Sequence, residues 1–227
     1  MKSALAIFVK TPGFSPLKTR LASGIGTEKA LEFYRLSLKA TVEFASALKN
    51  LNPHLEIFWA VAEKEAMNSD FWSDFPVICQ GSGTLGERLS SIYDKLLQEF
   101  GTVFFMGADS PHLNVQKIGM NFLQFSRSEN EFLLGQTDDG GFYVFGGKRK
   151  LSKENWLSIE YSSQNTYCEL VKVLEKFSPV KTLEKNFDID YIDDLENYSK
   201  DLFLGEDFLL SQKELVIWVR ENILNLL

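Results

Sequence analysis

The chain has 227 residues, of which 44% are apolar and 19 are Phe, so it can fill the core of one large α/β domain and is not predicted to be disordered. Its net charge of −7 argues against nucleic acid or an anionic membrane as the main partner, but allows a local phosphate site.

Cys79 and Cys168 lie far apart, so we expect neither a disulfide framework nor a thiolate metal site. No stretch reaches membrane-spanning length and the apolar run before Lys10 is too short for a signal peptide, which predicts a cytoplasmic protein.

The first half of the chain alternates between strand-like and helix-like segments. Short apolar runs ended by Pro or Gly predict strands, and apolar residues at three- and four-residue spacing predict helices. The predicted elements are strand 5–9, helix 27–50, strand 55–62, strand 77–79 and helix 84–100. Thr27 is the expected N-cap of the first helix, and Thr84 and Glu87 spell a capping box at the start of the second.

The second half continues the alternation with strand 102–106, helix 115–125, strands 132–134 and 142–145, and helices 165–177, 190–198 and 214–227. The two strands around 138–141 are too close for a helix between them, which indicates a hairpin with an antiparallel strand. The whole pattern predicts a single-domain, three-layer α/β/α fold with a mainly parallel, mixed sheet. A C-terminal helical extension at about 203–227 is expected to pack on the sheet, with a homodimer contact as the alternative.

Polar, Gly-rich segments follow the predicted strands at 10–20, 80–88, 109–113 and 138–141. Because ligands bind at the carboxyl ends of parallel strands, we expect these loops to meet at one site. Lys10, Lys18 and Arg20 suit a diphosphate or triphosphate, and Lys18 and Arg20 can stabilise charge on a departing phosphoryl oxygen. The alternative is that Lys18 and Arg20 are solvated residues that begin a helix. Leu17 stands where a P-loop needs Gly, so this loop is not a P-loop.

Asp109 ends the strand at 102–106 and is a candidate ligand for Mg²⁺ or Mn²⁺, which prefer oxygen. A turn Asp before Pro111 is the alternative, and the neighbouring loops favour the metal. Asp190 could supply a second metal ligand, although locally an N-cap of the following helix is favoured.

Asp138 to Gly141 suit a hairpin turn and the lining of an acceptor site about equally, and Asp139 could act as a general base toward an acceptor hydroxyl. Gly86 and Arg88 lie at a helix N-terminus, where anions are stabilised.

Taken together, these segments resemble the GT-A-type nucleotide-diphospho-sugar transferase superfamily, and in particular a bacterial uncharacterised branch of glycosyltransferase-A-like proteins. The matching motifs are F-x-K-x-P…K-T-R-L at 8–21, Q-G and L-G-E-R-L at 80–89, G-x-D-S-P-x-L at 107–113, D-G-G-F-Y at 139–143 and D-x-D…D-L at 188–195. They span about residues 5–200 in order, so the resemblance covers nearly the whole chain.

The resemblance implies a Rossmann-like fold in which Asp109 and Asp190 hold Mg²⁺ or Mn²⁺ on a nucleotide diphosphate. It also implies that Lys10, Lys18 and Arg20 face the phosphates. The predicted nucleotide-binding set is Lys10, Pro12, Lys18, Arg20, Gln80, Gly86, Arg88 and Asp109. The predicted catalytic residues are Lys18, Arg20 and Asp139, and the predicted acceptor-binding residues are Asp138, Gly140 and Gly141.

The expected function is metal-dependent transfer of a nucleotidyl or glycosyl group from a nucleotide or nucleotide-sugar to a small acceptor. The sequence does not separate the two reactions. Phe14, Ser15 and Pro16 stand where the family usually carries Pro-Gly-Arg, and this departure motivates an alternative. In that alternative the chain is a nucleotide-binding, regulatory protein of the same fold with weakened catalysis.

Overall fold

The apolar runs of the sequence form seven strands of one sheet in the computed structural model, which describes residues 2–224. The strands are β1 (Ser3–Val9), β2 (Leu55–Val61), β3 (Val77–Cys79), β4 (Thr102–Gly107), β5 (Phe132–Gln136), β6 (Phe142–Gly147) and β7 (Val180–Thr182). Their spatial order is β3-β2-β1-β4-β6-β5-β7. β6 runs antiparallel to both of its neighbours, and every other pair is parallel. The sheet is therefore mainly parallel with one antiparallel strand, as the hairpin prediction requires.

Helices cover both faces of the sheet. They are α1 (Thr19–Ile25), α2 (Thr27–Leu51), α3 (Leu85–Leu97), α4 (Val115–Arg127), α5 (Lys153–Leu157), α6 (Thr166–Leu174), α7 (Ile192–Tyr198) and α8 (Leu210–Asn222). α2 and α4 bury apolar side chains against one face, and α3, α5 and α6 against the other. A third apolar cluster joins α1, α2, α7 and α8. The predicted α/β fold is confirmed. Within residues 2–224, no helix combines the length and the apolar composition that crossing a bilayer would require.

Most predicted elements are present with shifted ends, and the differences have local causes. Gly26, with φ of 85°, is the N-cap of α2, so Thr27 is the first helical residue and not the cap. The helix predicted at 190–198 begins at Ile192, because Tyr191 has an extended backbone and is the N-cap residue. The helix predicted at 214–227 begins earlier, at Leu210, and positions 225–227 lie outside the described residues. The short elements α1, α5 and β7 were not predicted.

The capping box of α3 is confirmed. The Thr84 hydroxyl accepts from the Glu87 amide at 3.4 Å, and the Glu87 carboxylate accepts from the Thr84 amide at 3.0 Å. We expect Thr84→Ala to lower the free energy of unfolding by about 1 kcal/mol, since it removes an N-cap. Urea denaturation measures this, with Thr84→Ser as a control that keeps the hydroxyl. An equal loss of unfolding free energy in both variants would contradict the role of the Thr84 hydroxyl as the N-cap of α3.

Candidate functional site

The carboxyl ends of β1, β3 and β4 open onto one cleft with a volume of about 620 Å³. The loops after these strands bring most of the predicted polar residues together there. The charged and amide side chains that line the cleft are Lys10, Lys18, Arg20, Gln80, Arg88, Asp109 and Asp190. Four cations and two carboxylates therefore share one surface of an acidic protein. Tyr34 and Ser162 also line it, and neither was predicted from the sequence.

Lys18 lies at the centre of this arrangement. It precedes α1 with a left-handed backbone (φ 43°, ψ 43°), and its side chain is only 4% exposed. The ammonium nitrogen Nζ is 2.6 Å from Asp109 Oδ1 and 3.0 Å from Asp190 Oδ1, and it donates to the Ile189 carbonyl at 2.7 Å. Burial by itself lowers the pKa of Lys18, but the two carboxylates outweigh it and hold the pKa above its usual value. Lys18 is thus a fully charged cation bound to three oxygens.

Arg20 and Asp190 form the exposed side of the same network. Arg20 Nη1 lies 3.1 Å from Asp190 Oδ2, and the Arg20 side chain is half exposed. Asp190 therefore pairs with two cations and does not cap the following helix. The Asp194 carboxylate accepts from the Asp190 and Tyr191 amides at 2.9 and 2.7 Å and makes that cap. The local interpretation of Asp190 as an N-cap is wrong.

Lys10 and Arg88 are the other cations of the cleft. The backbone of Lys10 is tied to the Tyr34 hydroxyl, which donates to the Lys10 carbonyl at 2.8 Å. Among the described side chains, that of Lys10 has no hydrogen-bond or ion-pair partner, so its charge is available to a ligand. Arg88 donates to the Gly83 carbonyl at 3.1 Å and to Gln80 Oε1 at 3.4 Å. The α3 N-terminus thus presents an oriented guanidinium to the cleft.

Gln80 is a buried structural residue as well as a lining residue. It is 5% exposed, and its amide nitrogen donates to the Val9 carbonyl at 3.2 Å and the Ala60 carbonyl at 2.7 Å. These bonds satisfy the ends of β1 and β2. Gln80 also orients Arg88, because the Gln80 side-chain oxygen accepts a hydrogen bond from the Arg88 guanidinium.

The first loop is anchored by Glu63, which the sequence did not single out. Its carboxylate accepts from the Thr11 amide at 2.8 Å and from the Ser15 hydroxyl at 2.5 Å. Burial raises the pKa of Glu63, but these hydrogen bonds act more strongly in the other direction and leave it below its usual value. Ser15, one of the residues that depart from the family pattern, therefore fixes the loop and adds no positive charge.

Asp188 was not predicted as a site residue, although it belongs to the same D-x-D segment as Asp190. Ser110 donates its hydroxyl to Asp188 Oδ1 at 2.5 Å. Burial, aided by the negative charges of Asp109 and Asp139, raises the pKa of Asp188 to about 7, against the opposing effects of Ser110 and Lys18. Asp188 is therefore a third acidic group near the Lys18 ammonium, which contacts Asp109 and Asp190 directly. Nothing in the local sequence distinguishes this carboxyl from a helix-capping Asp.

The hairpin between β5 and β6 uses Asp139 for its turn. Asp139 Oδ1 accepts from the Thr137 hydroxyl at 2.6 Å and from the Gly141 amide at 3.0 Å. Asp139 and Gly141 also line a second cavity of about 200 Å³. The hairpin turn and the lining of a cavity are therefore both present.

The second cavity adjoins the cleft and is mainly apolar. The two share Phe8, Leu85 and Ser162. The other apolar and aromatic residues around the second cavity are Leu89, Phe105, Met106, Phe142, Tyr143 and Tyr161. It has Asp139 and Asp188 on its polar side. A charged cleft thus continues into a smaller apolar chamber.

Some predicted site residues are not brought to the cleft. Pro12 and Gly86 are not among its lining residues. Gly86 is instead a packing position, because a Cβ there would lie 2.9 Å from both the Trp156 carbonyl oxygen and the Tyr161 ring. Gly140 packs its backbone against Gln164. Asp138 pairs with Lys185 at 2.8 Å and lines a neighbouring acidic cavity, which shares Arg20 and Asp190 with the cleft.

The residues around Lys18 Nζ also bear on metal binding. Among the side chains that the structure describes, which leave out those of residues 201 and 202, no three His, Cys, Asp or Glu are grouped to hold a metal. Asp109 and Asp190, with the Ile189 carbonyl, are nevertheless hard oxygen donors that already surround one cation. Mg²⁺ is commonly held by one or two carboxylates and completed by substrate phosphates and water. The donor set therefore fits a metal that arrives with a phosphate ligand.

Comparison with known proteins places this chain in a family. A family model described as "Uncharacterized protein conserved in bacteria (DUF2064)" matches residues 43–163, just over half of the chain. No curated protein matches the sequence.

Solved structures share the fold. A protein from Desulfovibrio desulfuricans G20, provisionally described as a nucleotide-diphospho-sugar transferase, is 20% identical with a TM-score of 0.85, covering 99% of this chain and 98% of that chain. A CMP:2-keto-3-deoxy-manno-octonic acid synthetase in complex with CTP is 10% identical with a TM-score of 0.54, covering 87% and 96%. Rv0371c from Mycobacterium tuberculosis H37Rv in complex with manganese is 14% identical with a TM-score of 0.51, covering 87% and 97%. The chain therefore belongs to the bacterial family DUF2064 and has the Rossmann-like fold of the nucleotide-diphospho-sugar transferases.

Proposed function

We propose that the protein is a Mg²⁺- or Mn²⁺-dependent transferase that binds a nucleoside triphosphate or a nucleotide-sugar in the 620 Å³ cleft. The observation that carries this proposal is the meeting of Lys10, Lys18 and Arg20 with Asp109 and Asp190 at the carboxyl edge of the sheet. Basic side chains neutralise phosphates, and the two carboxylates are suitable ligands for a hard divalent cation. The CTP complex of one structural neighbour and the manganese complex of another support this choice of ligands.

The group transferred is a nucleotidyl or a glycosyl group. In the first reaction an acceptor oxygen attacks the α-phosphorus and pyrophosphate leaves. In the second reaction it attacks the anomeric carbon of the sugar and a nucleoside diphosphate leaves. A bound metal would stabilise the negative charge on the phosphate oxygens in either reaction. Lys18 and Arg20 would stabilise the same charge from the side of the first loop.

We assign the acceptor to the 200 Å³ cavity beside the cleft. Its apolar lining would exclude water from the reacting atoms and hold the less polar side of a small acceptor. Asp139, whose Oδ1 is fixed by Thr137 and Gly141, would take the proton of the acceptor hydroxyl. Gly141 lines the same cavity, and a Cβ there would lie 3.0 Å from Thr137 Oγ1 and 3.2 Å from Asp139 Oδ1.

A second candidate function is a nucleotide-binding regulatory protein of the same fold with weakened catalysis. The observation in its favour is Ser15, which stands in the segment where the family usually has Pro-Gly-Arg and donates to Glu63. Such a protein would bind the same ligands with metal but would release neither pyrophosphate nor nucleoside diphosphate.

Thermal unfolding tests the proposal against a panel of nucleoside triphosphates and nucleotide-sugars, each with and without Mn²⁺. A ligand at a hundredfold excess over its Kd adds about 2.7 kcal/mol of stability, which corresponds to a rise in Tm of about 5–10 °C for a chain of this length. We expect at least one ligand to reach this range with Mn²⁺, and Asp109→Asn to lose most of the Mn²⁺-dependent part. Asp138→Asn is the matched control, because Asp138 pairs with Lys185 and does not line the cleft. If no ligand stabilises the protein, or if Asp109→Asn responds like the wild type, the proposal fails.

A further inference from the structure

The surroundings of the Lys18 ammonium resemble those of a bound metal ion. Its Nζ has oxygen neighbours from Asp109, Asp190 and the Ile189 carbonyl at 2.6, 3.0 and 2.7 Å. An ammonium group has three N–H donors, so these three oxygens can use all of them. The side chain is 4% exposed, and water has little access to it. Lys18 therefore occupies a complete, desolvated cation position.

The same position cannot hold Lys18 and a divalent metal together. Mg²⁺ needs carboxylate oxygens at about 2.1 Å, closer than the contacts that the ammonium makes with Asp109 and Asp190. Two cations bound to the same two carboxylate oxygens would also repel each other. A metal bound through Asp109 Oδ1 and Asp190 Oδ1, the oxygens that Lys18 Nζ contacts, must therefore displace the ammonium.

The cleft gives Lys18 an alternative partner. Lys18 lines the cleft beside Lys10 and Arg20, where the proposed function puts the phosphates. A lysine has a flexible four-carbon stem, so the ammonium can turn from the carboxylates to a phosphate oxygen while its backbone stays in place. In this exchange the ammonium loses its charge-assisted hydrogen bonds to the carboxylates and forms new ones to the phosphate.

We propose that Lys18 is a resident cation that blocks the Asp109–Asp190 metal position until a phosphate ligand draws it away. The inference rests on the proposed function, because it needs a phosphate ligand in the cleft. Divalent metal alone then binds weakly, and metal and phosphate ligand each strengthen the binding of the other, as linkage requires. The protein would avoid filling its site with a metal ion when no nucleotide is present.

Titration with Mn²⁺ alone, read by the electron paramagnetic resonance signal of free Mn²⁺, tests the inference. We expect Lys18→Met to bind Mn²⁺ at least about tenfold more tightly than the wild type, since the blocking cation is gone. Lys10→Met is the matched control, because Lys10 lines the same cleft but its side chain has no ion-pair partner in the described residues. We expect this control to tighten binding by no more than about threefold, the effect of a solvent-screened charge. Lys18→Arg retains a cation and should stay near the wild type.

The Mn²⁺-dependent rise in Tm of the same variants is the second measurement. It should be larger for Lys18→Met than for Lys10→Met, and it reports binding even if Lys18→Met is less stable. Equal Mn²⁺ affinities and equal Tm shifts in these two variants would overturn the inference. That result would leave a nucleotide-dependent rise in Tm of the wild type intact. Conversely, nucleotides that fail to stabilise the wild type would defeat the proposed function while leaving the metal-only comparison unaffected.

Discussion

Gly140→Ala is expected to lower the free energy of unfolding by about 3 kcal/mol or more. Gly140 has φ of 89°, a left-handed conformation that side-chain-bearing residues adopt only at a cost. A Cβ at this position would lie 2.5 Å from the Gln164 Cα atom and closer still to the Gln164 carbonyl oxygen. The Gly140 carbonyl also accepts from the Tyr167 amide at 2.8 Å. The substitution therefore pushes the hairpin turn away from the segment that begins α6.

Urea denaturation of two single variants, Gly140→Ala and Gly13→Ala, separates the contact with Gln164 from the strain of a left-handed backbone. Gly13 has nearly the same φ, 87°, but an added Cβ would meet nothing within 4 Å. Gly13→Ala should therefore lose only about 1–2 kcal/mol, the cost of a left-handed Ala. The difference between the two variants measures the packing of the Asp139 turn against the loop that carries Gln164. Equal losses would show that this packing does not constrain the turn.

Acidification from pH 7 to pH 5 is expected to destabilise the protein by about 2 kcal/mol through His112 alone. Burial lowers the pKa of His112 to about 4, and the hydrogen bond with Asn186 offsets this only partly. The imidazole stacks on the Phe187 ring with centroids 4.0 Å apart, and its Nδ1 has no partner among the described residues. In the unfolded chain the pKa is 6.5. Between about pH 6.5 and pH 4, His112 is therefore protonated in the unfolded state but neutral in the folded state. The free energy of unfolding falls as the pH is lowered through this range.

His112→Phe removes the titrating group but retains a ring that can stack on Phe187. The stability of His112→Phe relative to the wild type should rise by about 2 kcal/mol between pH 7 and pH 5, and the subtraction cancels most other titrating groups. Guanidinium chloride denaturation at both pH values provides the comparison. A difference between the two proteins that does not change with pH would contradict a neutral, buried His112.

The sequence predicts much of this fold because the responsible signals are local. Apolar runs predict the other six strands, and the Thr84 capping box marks the start of α3. The strand Val180–Thr182 could not be predicted in this way. Its sequence, Val-Lys-Thr, contains no apolar run, and it exists because it pairs with a strand that lies more than 40 positions earlier in the chain.

The sequence predicts where the site lies, but it does not predict which side chains contact each other there. The rule that ligands bind at the carboxyl ends of parallel strands placed Lys10, Lys18 and Asp109 on one surface. The ion pairs of Lys18 join residues 91 and 172 positions apart, and no local pattern reveals them. The same is true of Glu63, whose role depends on the end of β2 lying beside the first loop.

A crystal structure grown with Mn²⁺ and the nucleotide or nucleotide-sugar that stabilises the protein most is the most direct test of the proposed site. We predict an anomalous manganese peak between Asp109 and Asp190, with Lys18 Nζ moved from both carboxylates to a phosphate oxygen. Lys10 and Arg20 should lie beside the same phosphates. A nucleotide bound outside the cleft, or Lys18 still paired with both carboxylates beneath a bound nucleotide, would contradict the account.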